Sequence, residues 1–150
     1  MERIGIISDT HDVLRSDAVE ILRTCDYILH AGDVTTERIL GQLRLLGNIY
    51  AVCGNNDWSL QGQLRKTLRF EIGGVRFFMT HDRRDVARQL KGTDVVIFGH
   101  SHKYFQEMVD GRLWLNPGSC GRPRFGMELT MAVMEVSNGR YQTEKILLKS

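Results

Sequence analysis

Five short segments carry side chains able to hold metal ions: Asp9-Thr10-His11, Gly32-Asp33, Gly54-Asn55-Asn56-Asp57, Thr80-His81 and Gly99-His100-Ser101-His102. Carboxylate, imidazole and amide oxygen together suit Mn, Fe or Zn, and exclude a soft all-thiolate site. Two such ions roughly 3.5–4 Å apart need one bridging carboxylate and several terminal ligands, and can hold a hydroxide for in-line attack on phosphorus. Taken singly, each segment has an ordinary reading. Asp-x-His after a strand can cap a helix, Gly-Asp can be a turn, Gly-Asn-Asn-Asp a loop with Asn at positive φ, and a lone His81 a hydrogen-bonded core residue. His100 and His102 are the least ordinary, because two imidazoles two apart at a strand end point to the same side. Order and position together carry the argument: each segment begins where an apolar run ends, and four of the chain's five histidines fall in them. The fifth, His30, lies three residues before Asp33, where it can orient a ligand.

The elements that must position these residues are legible as changes of hydrophobic period. Arg3 to Ser8 reads as a buried strand, and Val13, Leu14, Ala18, Ile21 and Leu22 recur at helical spacing. Tyr27 to His30 is a second strand, Ile39, Leu40, Leu43 and Leu46 mark a second helix, and Asn48 to Cys53 a third strand. This alternation predicts parallel strands with right-handed crossovers, whose carboxyl ends converge on one rim. Beyond Ser59 the pattern becomes mostly antiparallel. Gly73-Gly74, Asp110-Gly111 and Asn138-Gly139 are hairpin turns between Leu68–Ile72 and Val75–Thr80, Tyr104–Val109 and Leu113–Leu115, and Leu129–Val136 and Tyr141–Leu148. Asp85 to Leu90 reads as a short helix and Val95 to Phe98 as an apolar strand. The prediction is an α/β chain: two packed mixed sheets flanked by helices, in a single domain over residues 1–150.

Composition bounds the rest. With 42% hydrophobic and 25% charged residues the chain falls in the ordinary globular range. A net charge of +2 does not indicate nucleic-acid binding. Arg83, Arg84, Arg88 and Lys91, and Arg122 with Arg124, form the local basic clusters, the outer members of the first reading as solvated surface. The apolar stretch Ile4 to Ile7 is too short for a signal sequence or a membrane span, so a cytoplasmic protein without membrane contact is expected. Cys25, Cys53 and Cys120 lack the spacing of a structural zinc site and read as reduced thiols.

The ordered set Asp-x-His, Gly-Asp, Gly-Asn-x-Asp, His and Gly-His-x-His resembles the calcineurin-like metallophosphoesterases, and the short length resembles their small bacterial and archaeal phosphodiesterase branch. The likeness runs from Asp9 to the turn Asn116-Pro117-Gly118-Ser119. It implies the family's four-layer α-β-β-α sandwich. It also implies one divalent metal on Asp9, His11 and His102, a second on Asn55, His81 and His100, and Asp33 bridging them. Mn is the favoured ion, with Fe, Zn, Ni or Mg as alternatives. The implied reaction is hydrolysis of a phosphate ester, a small phosphodiester in preference to a monoester or long nucleic acid, by a metal-bridging hydroxide.

Three features depart from the pattern. Many relatives place histidine where this chain has Asn56, so Asn56 can donate a hydrogen bond to phosphate but cannot protonate a leaving group, and Asp57 is left to serve the loop. Asp82, Arg83 and Arg84 follow His81 where Gly-His is usual; an arginine there either clamps a phosphate or pairs with Asp82 or Asp85. Ser119, Gly121, Arg122 and Arg124 either border the substrate or form a plain surface turn. Asp33 and Asn56 are therefore the catalytic candidates, and Asn56, Arg83 and Ser119 the substrate contacts. The rival expectation is a metal-binding scaffold resembling the retromer subunit of the same fold. A homo-oligomer built on Phe70, Phe77 or Trp114 stays open.

Overall fold

A computed structural model describes residues 1–121 and 126–149. The expectations placed on Arg122 and Arg124 lie outside them. In chain order the elements are β1 (Glu2–Ile7), α1 (Ser16–Leu22), β2 (Tyr27–His30), α2 (Glu37–Leu46), β3 (Asn48–Ala51), β4 (Thr67–Ile72), β5 (Val75–Thr80), β6 (Val95–Ile97), β7 (Tyr104–Val109), β8 (Arg112–Pro117), β9 (Thr130–Ser137) and β10 (Arg140–Leu147). They form two mixed five-stranded sheets, ordered β10-β9-β1-β2-β3 and β4-β5-β6-β8-β7.

Alternation along the strands decides what each face meets. Ile4, Ile6 and Leu29 of the first sheet pack against Phe77, Met79, Val95, Ile97 and Leu115 of the second, forming the core between them. Ile7, Ile28, Met131 and Val133 face the other way, onto Ala18 and Leu22 of α1 and Ile39, Leu40 and Leu43 of α2. Phe77 is fully buried here, and the half-buried Phe70 stacks on it at 5.2 Å.

Two expectations change. The second sheet contains three parallel strands, since β6 pairs in parallel with both β5 and β8; its three residues are wholly buried, as suits a central parallel strand. Asp85–Leu90 is not a helix. Only a 3₁₀ turn, Arg83–Asp85, forms, capped by the Asp82 carboxylate accepting from the Arg84 amide at 3.0 Å. A six-residue segment is too short to hold a helix by itself, and here Val86, Ala87 and Leu90 lie on Phe78, Val96 and Trp114, covering the second sheet's outer face as irregular chain. Helix α1 likewise starts only at Ser16, because Asp9, His11 and Asp12 turn through positive φ before it. The carboxyl ends of β1, β2 and β3 and of β5, β6 and β8 all reach one rim, where the five segments gather.

Candidate metal centre

Five of the seven expected ligands sit in left-handed backbone: Asp9 (φ 56°), His11 (45°), Asp33 (60°), His100 (73°) and His102 (63°). Such conformations cost on the order of 1–3 kcal/mol each for residues other than glycine and persist only where the surroundings enforce them. The enforcing contacts are specific. Asp57, buried, accepts the amides of Asp33 (2.9 Å), Gly54 (2.7 Å) and Thr35 (2.6 Å). The Asn116 amide donates to the Gly99 carbonyl and to the Ser101 hydroxyl, each at 3.1 Å, which fixes the turn bearing His100 and His102. Gly54 and Gly99 must be glycine for a different reason: a Cβ on Gly54 would strike the amide and carboxylate of Asp33, and one on Gly99 the Ser8 hydroxyl and, at 2.9 Å, Asp9 Oδ2.

The ligand atoms converge. Asp9 Oδ2 accepts from the Ser8 hydroxyl (2.7 Å) and the His100 amide (3.2 Å), which leaves Oδ1 facing inward. Asp9 Oδ1 lies 3.4 Å from His102 Nε2, 3.6 Å from His11 Nε2 and 3.8 Å from His81 Nε2. Asp33 Oδ2 lies 3.3 Å from His11 Nε2 and 3.4 Å from His81 Nε2. Asp9 Oδ1, His11 Nε2 and His81 Nε2 are buried yet make no hydrogen bond. Unpaired buried polar atoms are costly, and three of them around one space, with Asp33 alongside, are a donor set that fits a divalent cation. Among the described residues, two groups meet the distance requirement of an ion, Asp9-His11-His102 and Asp9-Asp33-His81. A backbone contact orients His81 as a ligand. The Ala31 carbonyl, 2.7 Å from Nδ1, can only accept, so Nδ1 carries the proton and Nε2 offers its lone pair.

His30 acts from behind. The Gly32 amide donates to its Nδ1 (3.1 Å), so Nε2 carries the proton and donates to Thr10 Oγ1 (3.0 Å), whose hydroxyl donates to the Asp33 carbonyl (3.3 Å). Burial pushes the His30 imidazole down to about 4, so it is neutral at pH 7. The site's charges point the opposite way. Burial opposes the charged forms of Asp9, Asp33 and His81, but the imidazoles of His102, His11 and His81 hold Asp9 below the ordinary carboxylate range, and His81 with Asn56 does the same for Asp33. Against its own burial, the Asp33 and Asp9 carboxylates raise His81 to about 9. Beside Asp9, His11 is also raised. Protons thus occupy, in the metal-free protein, places that cations would take.

The remaining expected residues fall into two groups. His100 and Asn55 stand at the rim. His100 is 43% exposed, its ring edge-on to His81 at 5.2 Å and its Nε2 3.8 Å from Asp82 Oδ2. Asn55 is exposed, and with His81 it lines a cavity of about 270 Å³ that also touches Lys66, Asp82 and Asp85. The expected substrate contacts are each engaged with other groups of the protein. Asn56 gives its amide to Asp33 Oδ1 (2.9 Å) and its side-chain Nδ2 to Asp33 Oδ2 (3.0 Å), so it holds the carboxylate in place. Ser119 is buried and its hydroxyl donates to the Asp9 carbonyl (3.2 Å), steadying that turn away from solvent. The Arg83 guanidinium lies over Phe98, Phe105 and Trp114 at 5.4, 4.9 and 5.0 Å, on the second sheet's outer face. Arg84 takes the other course foreseen for this pair, meeting Asp82 Oδ2 at 2.7 Å and holding that carboxyl down at about 2. Asp57 serves its loop by accepting the Gly54 amide and also reaches Asp33 and Thr35; Asn116 and Thr10 are additional to the residues expected at the site. Their signal in the sequence was only their proximity to the motifs.

Comparison with known proteins agrees with this geometry. The family model of the calcineurin-like phosphoesterase superfamily domain matches residues 2–139. A phosphodiesterase of Methanocaldococcus jannaschii, MJ0936, is 31% identical over 93% of this chain and 96% of its own length. The solved structure of an archaeal phosphodiesterase superimposes with a TM-score of 0.80 at 30% identity, covering 97% of this chain and 99% of that one. Vps29 of Entamoeba histolytica, solved with Zn²⁺, has a TM-score of 0.75 at 23% identity over 97% of this chain and 98% of its own, a likeness of fold alone. Sequence match, sheet order and a donor set suited to divalent cations lead to the same place: this chain belongs to the calcineurin-like phosphoesterase superfamily and is a metal-dependent phosphoesterase.

Proposed function

We propose that the chain hydrolyses a small phosphodiester with a pair of divalent metal ions, Mn favoured, and that it works in the cytoplasm. The observation that carries this reading is Asp33 Oδ2, set 3.3 Å from His11 Nε2 and 3.4 Å from His81 Nε2, between the two halves of the ligand set. Asp9, His11 and His102 would hold one ion, Asn55, His81 and His100 the other, and Asp33 both. When bound, such ions supply a water acidified toward neutral pKa and neutralise charge on phosphoryl oxygens. The protein's own groups do the positioning. Asn56 and Asp57 fix Asp33 from two sides, Ser8 turns one oxygen of Asp9 away so that the other faces the centre, and the Ala31 carbonyl selects the His81 tautomer. Among the described residues no helix is long and apolar enough to cross a membrane. Asn56 cannot supply the proton that histidine would give at that position, so leaving groups of low basicity are favoured.

The test is hydrolysis of bis-p-nitrophenyl phosphate against p-nitrophenyl phosphate by metal-stripped protein with Mn, Mg, Zn or Ni restored. Metal-restored turnover with the diester ahead supports the proposal. Two bound metals without turnover of either compound would favour the scaffold reading, which the Vps29-like fold fits.

A further inference from the structure

Trp58 is 75% exposed, an unusual place for the largest side chain. The other large hydrophobics that stand out among the described residues are Met1, Leu45, Met108 and Leu147, none of them on the loops of the metal centre. Trp58 follows Gly54-Asn55-Asn56-Asp57 directly, and it is held: its indole Nε1 donates to the Asn55 carbonyl at 2.9 Å. The loop beneath it is itself fixed, through Gly54 to Asp57 and through Asn56 to Asp33. Trp58 opens a 3₁₀ turn, Trp58–Leu60, and Leu60 at its other end is fully buried and anchors it from below. An aromatic ring is thus presented to solvent, with its orientation set by a hydrogen bond to the residue that borders the metal centre.

The cavity beside that residue defines what can reach the ring. At about 270 Å³, lined by Asn55, His81, Lys66, Asp82 and Asp85 among others, it lies below the roughly 300–1,000 Å³ of pockets that enclose a whole ligand. It has room for a sugar-sized group with hydroxyls for its carboxylates and lysine. A further ring on the same substrate would exceed that volume, and Trp58, bonded to the Asn55 carbonyl, offers an exposed aromatic face beside a residue that lines the cavity.

We propose that Trp58 is a stacking platform and that the substrate is a phosphoester whose organic group ends in a planar aromatic ring of the nucleobase kind. This rests on the phosphoesterase reading above for the phosphate's location, and on Trp58 for the ring. Stacking of a base on an aromatic side chain amounts to about a tenfold or greater gain in affinity.

The test compares AMP with ribose 5-phosphate, which differ only by the base. In the Mn-loaded full chain each is measured as an inhibitor of bis-p-nitrophenyl phosphate turnover and as a quencher of tryptophan fluorescence. The expected result is AMP binding about tenfold tighter, with quenching by AMP alone. Trp58→Leu should erase the difference, and Trp58→Phe should keep most of it. Trp58→Phe should also lose the quenching, because Trp114, the other tryptophan, is packed beneath Arg83. Equal affinities with no quenching, in a protein that turns over the diester, would overturn the inference and leave the phosphoesterase reading intact. Quenching by AMP without turnover would support the platform and sink the hydrolytic reading.

Discussion

Replacing Asp57 by alanine tests how the centre is held together. One carboxylate serves three backbone amides: Oδ2 accepts from Asp33 and Gly54, Oδ1 from Thr35. A hydrogen bond to a charged group contributes roughly 1.5–3 kcal/mol, and a buried donor left without a partner loses about as much. Three such bonds do not simply add, because removing the carboxylate also removes the cost of burying it. Asp33 is 2% exposed, so its amide has no substitute, whereas Gly54 and Thr35 are half-buried and can turn to water. Counting the first in full and the others at a fraction gives a loss of about 3 kcal/mol for Asp57→Ala. For a domain of this size that is a fall in midpoint of roughly 6–12 °C. Asp57→Asn, with its amide oxygen at the Oδ2 position, keeps two of the three acceptors and should lose about half as much.

The measurement is thermal unfolding with excess chelator, since bound metal stabilises the folded state by mass action and would mask the difference. A metal titration on the same variants adds a second readout, because Asp33 loses the anchor of its own amide. Asp57→Ala should bind the metal that needs Asp33 more weakly even where it is still folded. If metal-free Asp57→Ala unfolds within about 2 °C of the parent, well short of that fall, the three bonds do not bear the loop and the reasoning fails.

Four further outcomes are expected. Asp33→Asn should abolish metal-restored turnover and weaken metal occupancy, and full turnover would rule out Asp33 as the shared ligand. Because His81 is raised to about 9, loading metal at pH 7 should release protons, visible as a buffer-dependent binding heat, and apparent affinity should rise with pH; heats independent of buffer would contradict this. Burial lowers His30 from 6.5 to about 4, so the unfolded chain takes up the proton first and up to about 3 kcal/mol of stability should drain away as pH falls through that interval. Metal-free His11 and His81 titrate above this window and Asp9 and Asp33 below it, so His30→Asn should flatten the slope there, and an unchanged slope would refute the assignment. Arg83→Ala, at an exposed site, should lower stability by about 0.5–1 kcal/mol through lost cation–π packing, while a rise in KM with unchanged stability would return Arg83 to the substrate.

How much of this was legible in the sequence depends on the range of the forces involved. The ligand segments were visible because each polar group interrupts an apolar run at the end of a strand, a local signal that survives without knowing the partner strand. The hairpins were visible because turn chemistry is local too. Arg83 was not: nothing near it in the chain says that Phe98, Phe105 and Trp114 will lie under it. Asp85–Leu90 misled for the same reason, since its apolar residues serve a sheet surface that periodicity alone does not reveal. The motif glycines show the limit most sharply. Gly54 and Gly99 can be read as turn formers, yet neither has a positive φ. Each is bare because groups from another strand end occupy the space of its Cβ, the Asp33 amide and carboxylate at Gly54 and, at Gly99, the Ser8 hydroxyl with the Asp9 carboxylate it holds behind it. Glycine and aspartate are therefore two halves of one packing constraint that draws β3 to β2 and β6 to β1. A side chain at either glycine would displace the carboxylate on which the metal centre depends.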